Sequence, residues 1–473
     1  MSRLFTAVLL FLLIPFAIQC QSNSSDGETD TVITFIKTTP DQQALFATQD
    51  DDLLNNSYAP RYLIEIDQST LYQEMYGFGF ALTGGSAIHI NNMDATDRSA
   101  LLNEIFGTDD GQIGMSYIRV SLGASDLDPE PFSYNDLAAG QVDIEQANFS
   151  IEPDREHLIP VLKEILAINP DVNIMASPWS APSWMKTNNG TVGGSLLTQY
   201  YDSYATYFVK YIQAMEAEGI TITSVTPQNE PLHGGNNPSM VMTASAQTAF
   251  IGQSLGPAFE ANNIDTKIIA YDHNADNTDY PMQVMANVTA GPYTNGSAFH
   301  LYGGVIGNLS IVHNSFPNKE LYFTEQWYSG NGTFNGDLQW HMREIYIGGT
   351  RNWCNAVIEW NLASDSNWDP HTPGGCTLCK GALTIDGNNV LRNAGFYVVG
   401  HASRYARPGS FRIESNYVNE IPNVAFMTPD NKIVLLAMNN TGETQDFMVR
   451  NGELEFTSRL ESGAVATYVW DAN

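Results

Sequence analysis

Cysteine is scarce in this chain, with 4 in 473 residues. Apart from Cys20, these are Cys354, Cys376 and Cys379, in "NWCN" and "GGCTLCKG". Three thiols cannot build a four-cysteine zinc site, and no histidine lies near enough in sequence to complete a standard ligand spacing. A loop disulfide between Cys376 and Cys379 in an oxidising compartment is the better reading. Positive charge is scarce too. Only 21 Lys and Arg stand against 52 Asp and Glu, a formal net charge of −31, which argues against nucleic acid or anionic membrane surfaces as partners. The acid is spread along the chain rather than gathered in a tail, so its plain reading is a solvated surface. Long apolar runs are also missing. The run in "MSRLFTAVLLFLLIPFAIQ", residues 1–19, is short for a membrane span.

Core-forming residues, by contrast, are plentiful. Hydrophobic residues make up 43% of the chain and aromatics 11%, with 22 Tyr, 22 Phe and 8 Trp. Such a chain is globular, and its length suits one large barrel with an appendage. The aromatic content suits sugar stacking, although packing accounts for most of it. Residues 1–19 read as an export signal peptide. Cys20, followed by the polar "QSNSSDGETD", resembles the lipidation site of bacterial lipoproteins, with Gln19 standing where a small residue is usual. The expectation is an exported protein anchored by lipid through Cys20 to the bacterial outer membrane, on its surface or in the periplasm, with residues 20–30 as a flexible tether. Plain secretion is the alternative. Asn-x-Ser/Thr sequons, as at Asn148, Asn189, Asn295 and Asn331, carry meaning only if the chain is a secreted eukaryotic one.

From residue 69 to 393 short apolar runs alternate with longer helical patterns, the signature of repeated βα units. Eight runs can be counted: "EMYGFGFAL", "MSYIRVSLG", "VNIMASPWS", "ITSVTPQNE", "TKIIAYDH", "SAFHLYGG", "LYFTEQWY" and "NAVIEWNLA". Between the third and fourth, Leu197, Tyr201, Tyr204, Phe208, Tyr211 and Met215 recur at helical spacing, and Gly219 ends the pattern. Eight strands with intervening helices predict an α/β fold, a (β/α)₈ TIM barrel. Residues 394–473 read as short alternating strands, a β-sandwich that residues 31–68 are expected to join.

In such a barrel the chemistry sits where the strands end. Those ends carry Asp126, Trp179, Asn229 with Glu230, His300 with Tyr302, Glu325 with Trp327, and Trp360 with Asn361. Glu230 and Glu325, at the ends of the fourth and seventh strands, are the pair that retaining glycoside hydrolysis needs, one to protonate the leaving oxygen and one to attack the anomeric carbon. The negative charge of Glu325 is expected to raise the pKa of Glu230 and keep it protonated. Blander readings exist for each supporting residue. Trp179 and Trp360 are ordinary core types, Asp126 sits where it could cap a following helix, and His300 fits a buried imidazole or a partner of the carboxylates.

The motifs "GFGFALTGGSA", "YIRVSLGASDLD", "ASPWSAPSWMKTN", "TPQNEP", "FHLYGG", "YFTEQW", "IEWNLA" and "GHASRYARPGSFRI" resemble, in order, those of glycoside hydrolase family 30, which contains glucosylceramidases and β-1,6-glucanases. The resemblance spans essentially the whole chain after the signal region. It implies that Glu230 is the acid/base and Glu325 the nucleophile, and that Asn229 bonds the sugar 2-hydroxyl. It further implies that Asp126 and Trp179 hold the outer hydroxyls of the glucose, Tyr302 lies near the nucleophile and Trp360 forms a stacking floor. No metal or organic cofactor is implied. The sequence departs from glucosylceramidases at Thr83 and Gly84, where an acidic residue usually follows the Thr, and in the Cys-bearing loop at 369–386. The expectation is a monomeric retaining β-glycosidase acting on β-1,6-linked glucose in β-glucan poly- or oligosaccharides, with glucosylceramide as the first alternative. A catalytically silent glycan-binding lipoprotein is the second.

Overall fold

A computed structural model of the protein describes residues 32–48, 53–54 and 60–472. The expected signal peptide, the tether and Cys20 lie outside the described residues. Among the described residues no helix is long and apolar enough to cross a membrane.

Eight parallel strands close into a barrel. In chain order they are Gly77–Ala81, Tyr117–Ser121, Asn173–Ser177, Ser224–Val225, Lys267–Asn274, Thr294–His300, Glu320–Glu325 and Cys354–Glu359. Each overlaps one of the eight apolar runs of the sequence, and the fifth to eighth strands extend one to three residues beyond theirs. They read as continuous runs because a barrel strand is covered on both faces, and every residue of the first, second and eighth is buried. Gly79 lets the first strand approach the second, since a Cβ there would stand 1.7 Å from the Tyr117 carbonyl oxygen. The aromatic helix runs Tyr201–Ala217 and buries Tyr201, Tyr204, Phe208, Tyr211 and Met215 as expected. Leu197 lies ahead of it, before a short 3₁₀ turn. Gly219 ends it at a φ of +83°.

The sandwich draws its strands from both sides of the barrel in the chain, as expected. Ten strands hydrogen-bond in one continuous order, folded around a core that includes Phe35, Ile64, Ile413, Phe447, Tyr468 and Trp470. The N-terminal strand Thr34–Thr38 pairs with Val465–Asp471, and Tyr62–Glu74 lies between Phe411–Ser415 and Gln445–Asn451. Two of the expected boundaries move. The strand Tyr62–Glu74 carries the sandwich past residue 68, up to the start of the barrel. Residues Ala394–Ser403, expected in the sandwich, form a helix that packs on the first barrel strand. All ten of its residues are buried, so it has no polar face to betray a helical period. Its His401 bridges the two halves, with ring nitrogens 2.9 Å from the hydroxyls of Thr38 and Thr467.

Candidate active site

At the C-terminal mouth of the barrel the structure brings together the residues that the strand-end argument selected. A carboxylate oxygen of Glu230 and one of Glu325 lie within 4.8 Å of each other. Oxygens this close fit the short carboxyl separation of retaining glycosidases, roughly 5–5.5 Å, better than the about 6.5–9.5 Å of inverting ones. Glu230 follows the fourth strand with a φ of +43°, an uncommon conformation for a residue with a side chain. It is held there by its N–H bond to the Asp272 carbonyl at 2.9 Å. Asn229 is fixed by a bond from its N–H to the Pro178 carbonyl at 2.8 Å.

Two central residues escaped the sequence argument. Arg119, in the middle of the second strand, is fully buried; its guanidinium donates to Glu325 Oε2 at 2.7 Å, Asn229 Oδ1 at 2.7 Å and Asp272 Oδ2 at 2.9 Å. Asp272, in the fifth strand, also accepts from the hydroxyls of Thr226 and Thr324, each at 2.7 Å, and lies 3.1 Å from His300 Nε2. Tyr271 and Asp272 both have positive φ, +75° and +69°, a local kink that turns the carboxylate into the barrel. The available signal was a charged residue inside an otherwise apolar run, in "YIRVS" and "IIAYDH".

The electrostatics centre on His300. Its Nδ1 lies 3.4 Å from Glu230 Oε1 and 3.8 Å from Glu325 Oε1. Burial opposes its charge, but Glu325 and the Asp272 hydrogen bond prevail and push the imidazole up to about 9. Asp272 is equally buried, yet the Arg119 charge holds it well below the usual carboxylate range. At Glu230 burial alone would raise the carboxyl; the hydrogen bond and charge of His300 reverse this and leave it lowered. The elevated Glu230 expected from the sequence is therefore absent in the free site, because a cation the sequence did not place sits between the two carboxylates. Burial lifts Glu325, while the His300 and Arg119 charges hold it down. Burial prevails and leaves Glu325 raised, while Arg119 on one oxygen and the Tyr302 hydroxyl on the other at 3.0 Å fix the direction in which it points.

The remaining expected residues line the same mouth. Trp179 and Trp360 stack on each other with centroids 5.2 Å apart, and the Arg119 guanidinium lies 4.9 Å from the Trp179 ring. Tyr302 is 40% exposed with its hydroxyl turned inward. Asp126 is buried, and burial together with Glu325 pushes it up to about 7. It caps no helix, since residues 126–130 form turns and bends. At the first departure from the glucosylceramidase pattern, Thr83 caps the helix Gly84–Asn91, and a Cβ on Gly84 would lie 1.7 Å from Asp128 Oδ1. The space next to residue 84 is thus filled by an acidic side chain from the loop after the second strand. Cys376 and Cys379 form the expected loop disulfide, and Cys354 is a buried free thiol. Glu230, His300 and Glu325 are the one group among the described residues whose ligand atoms converge as for a metal ion. Arg119 and Tyr302 already occupy both oxygens of Glu325, which suits proton and sugar chemistry better than a cation.

Two carboxylates at retaining distance, one anchored by a guanidinium and a phenol, at the mouth of a (β/α)₈ barrel, define a retaining glycoside hydrolase. The chain belongs to glycosyl hydrolase family 30: its TIM-barrel domain matches residues 75–406 and its beta sandwich domain residues 409–468. Among similar proteins, endo-1,6-beta-D-glucanase BGN16.3 of Trichoderma harzianum is 32% identical over 86% of each chain. Lysosomal acid glucosylceramidase of Mus musculus is 26% identical over 86% of this chain and 83% of its own. The solved structure of the endo-beta1,6-glucanase BT3312 superposes with a TM-score of 0.85 at 34% identity, covering 93% of this chain and all of that one.

Proposed function

We propose that the protein hydrolyses β-1,6-glucosidic bonds in β-glucans by double displacement, with Glu325 as nucleophile and Glu230 as acid/base. The observation that carries the mechanism is the pair of carboxylate oxygens within 4.8 Å, with Arg119 on Glu325. The substrate follows from the relatives: those named endo-1,6-glucanases are 30–34% identical, those named glucosylceramidases 26–27%. Glu325 attacks the anomeric carbon while the proton carried by His300 passes from Nδ1, 3.4 Å from Glu230, through Glu230 to the leaving oxygen. Formation of the glycosyl ester removes the Glu325 charge that supported the imidazolium. Water then attacks the ester, and its proton returns to the Glu230–His300 pair, restoring both groups. Asn229, oriented by Arg119, bonds the 2-hydroxyl, a contact that strengthens in the transition state. Asp126 takes the outer hydroxyls, and Trp179 and Trp360 form the floor.

The test is the time course of products from a linear β-1,6-glucan, followed by chromatography. An early ladder of oligosaccharides is expected and means an endo-acting cleft, as in the named relatives. Glucose alone means an exo-acting pocket. No release moves the assignment to glucosylceramide. We further propose that the chain is exported and anchored by lipid at Cys20, which the apolar run of residues 1–19 and the polar stretch after Cys20 support, and that it is a monomer. Membrane fractionation of wild type against Cys20→Ala checks the anchor, and light scattering of the purified protein checks the monomer.

A further inference from the structure

The loop after the eighth strand carries the only disulfide among the described residues, Cys376–Cys379. No step of the mechanism uses it, yet it is built into the wall of the sugar site. The Cys376 N–H donates to Asp126 Oδ2 at 3.1 Å, and the Thr372 N–H donates to the Asp126 carbonyl at 2.9 Å. Between them, Gly375 lies so close that a Cβ there would stand 2.4 Å from the same carbonyl oxygen. Three residues after Cys376, Cys379 is buried in an apolar cluster with Trp179, Trp360, Ala81 and Leu127. Its carbonyl accepts from Asn361 Nδ2 at 2.9 Å, and the neighbouring Leu378 carbonyl accepts from the Gly330 N–H at 2.8 Å. One end of this short ring therefore rests on the acid, the other on the aromatic floor.

We propose that the Cys376–Cys379 disulfide is a positioning element of the sugar site, fixing the Cys376 amide against Asp126 and Cys379 against Trp179 and Trp360. Four loop residues, free to sample many conformations when uncrosslinked, are confined by the bond to the one that presents this amide. A buried carboxylate that loses its donor stops being a well-aimed acceptor for sugar hydroxyls. The bond makes no contact with the reacting atoms, so its loss weakens ground-state and transition-state binding alike. The inference rests on reading Asp126 as a glucose ligand.

The test compares oxidised wild-type enzyme, the same enzyme reduced by tris(2-carboxyethyl)phosphine, and the double variant Cys376→Ser/Cys379→Ser. In the reduction a water oxygen goes to the phosphine as its oxide, and the two sulfurs leave as thiols with that water's protons. KM and kcat are measured on β-1,6-linked gluco-oligosaccharides, and amide hydrogen exchange is followed across residues 372–380. The expected result is exchange at least tenfold faster at Cys376, KM raised about tenfold and kcat within twofold, with reoxidation restoring the wild type alone. Unchanged KM and exchange after complete reduction overturn the proposal, as does a fall in kcat with KM constant. If the oxidised enzyme turns over no β-glucoside while exchange still rises on reduction, the glucanase reading fails and the positioning of Asp126 stands.

Discussion

At the end of the barrel where the strands begin, Lys267 pairs with Glu320 at 2.6 Å, and the hydroxyls of Tyr76 and Tyr322 donate to the same carboxylate at 2.9 and 2.6 Å. Where the strands finish, Arg119 pairs with Glu325 at 2.7 Å, and the Tyr302 hydroxyl donates to it at 3.0 Å. The ingredients match, but the settings do not. The Lys267 and Glu320 side chains are 36% and 21% exposed, so water screens the pair and one cation meets one anion. Arg119 and Asp272 are sealed from water, and Arg119 and His300 are shared among Glu230, Asp272 and Glu325. The backbone differs in degree: Glu230, Tyr271, Asp272 and Asn361 all have positive φ at this end, against Trp353 just before the eighth strand at the other. Each such residue costs on the order of 1–3 kcal/mol, which marks a place where the fold gives up stability to aim a group. Crowded, unevenly shared charge on a strained backbone is what separates a reaction site from a structural ion pair.

The largest break in this comparison comes from Glu325→Gln. The variant keeps the shape and loses the nucleophile, so kcat on β-1,6-glucan should fall by about 10⁴–10⁶-fold with sugar binding retained. Steady-state kinetics and calorimetric titration with oligosaccharide check this; near-normal turnover would remove the nucleophile assignment.

The barrel and both glutamates were legible in the sequence for one reason: strands covered on both faces read as apolar runs, and a carboxylate at the end of such a run has no packing role. Arg119 and Asp272 were illegible because a charge inside a run gives no hint of whether it points outward to water or inward to a partner. The direction of the Glu230 shift was beyond reach for the same reason. It depends on His300 Nδ1 lying 3.4 Å away, a distance set by the sixth strand's register against the fifth and seventh. The helix Ala394–Ser403 was lost because complete burial erases periodicity.

Next in size is Arg119→Met. It leaves Glu325 and Asp272 buried without their guanidinium, at a cost of about 3–5 kcal/mol in unfolding free energy, and should also lower kcat sharply. Urea unfolding checks the first effect. Lys267→Met, the matching change at the other end, should cost about 0–1 kcal/mol.

A finer probe is Asp272→Asn, which keeps a similar shape and removes one charge. His300 faces Asp272, Glu230, Glu325, His273 and Tyr302, and Asp272 is among the groups that raise it. Without that charge the imidazole gives up its proton at lower pH, so the alkaline limb of the kcat/KM profile should move down by about one unit. A limb that stays in place assigns it to another group. Stability has its own sign here. The Asp272 carboxyl is held low in the folded protein, so its contribution is present above the unfolded value of about 3.9 and is lost as pH falls below it. The Asn variant should lack that part of the acid dependence.

The smallest effect belongs to Glu320→Gln, and it is the most exacting test of the contrast. If ion pairs mattered by type alone, removing this carboxylate would impair the enzyme as removing Glu325 does. The amide oxygen, however, still accepts from one of the two tyrosine hydroxyls while the amide NH2 faces the oxygen of the other, and Lys267 is open enough to be solvated once unpaired, with its ammonium already 4.5 Å from the Tyr76 ring. Unfolding free energy should drop by no more than about 1 kcal/mol, and kcat/KM should stay within twofold of wild type. A loss of activity comparable to that of Arg119→Met would mean that the two ends of the barrel are coupled through the strands between them, and that the uneven sharing of charge at the mouth is not by itself what makes the site.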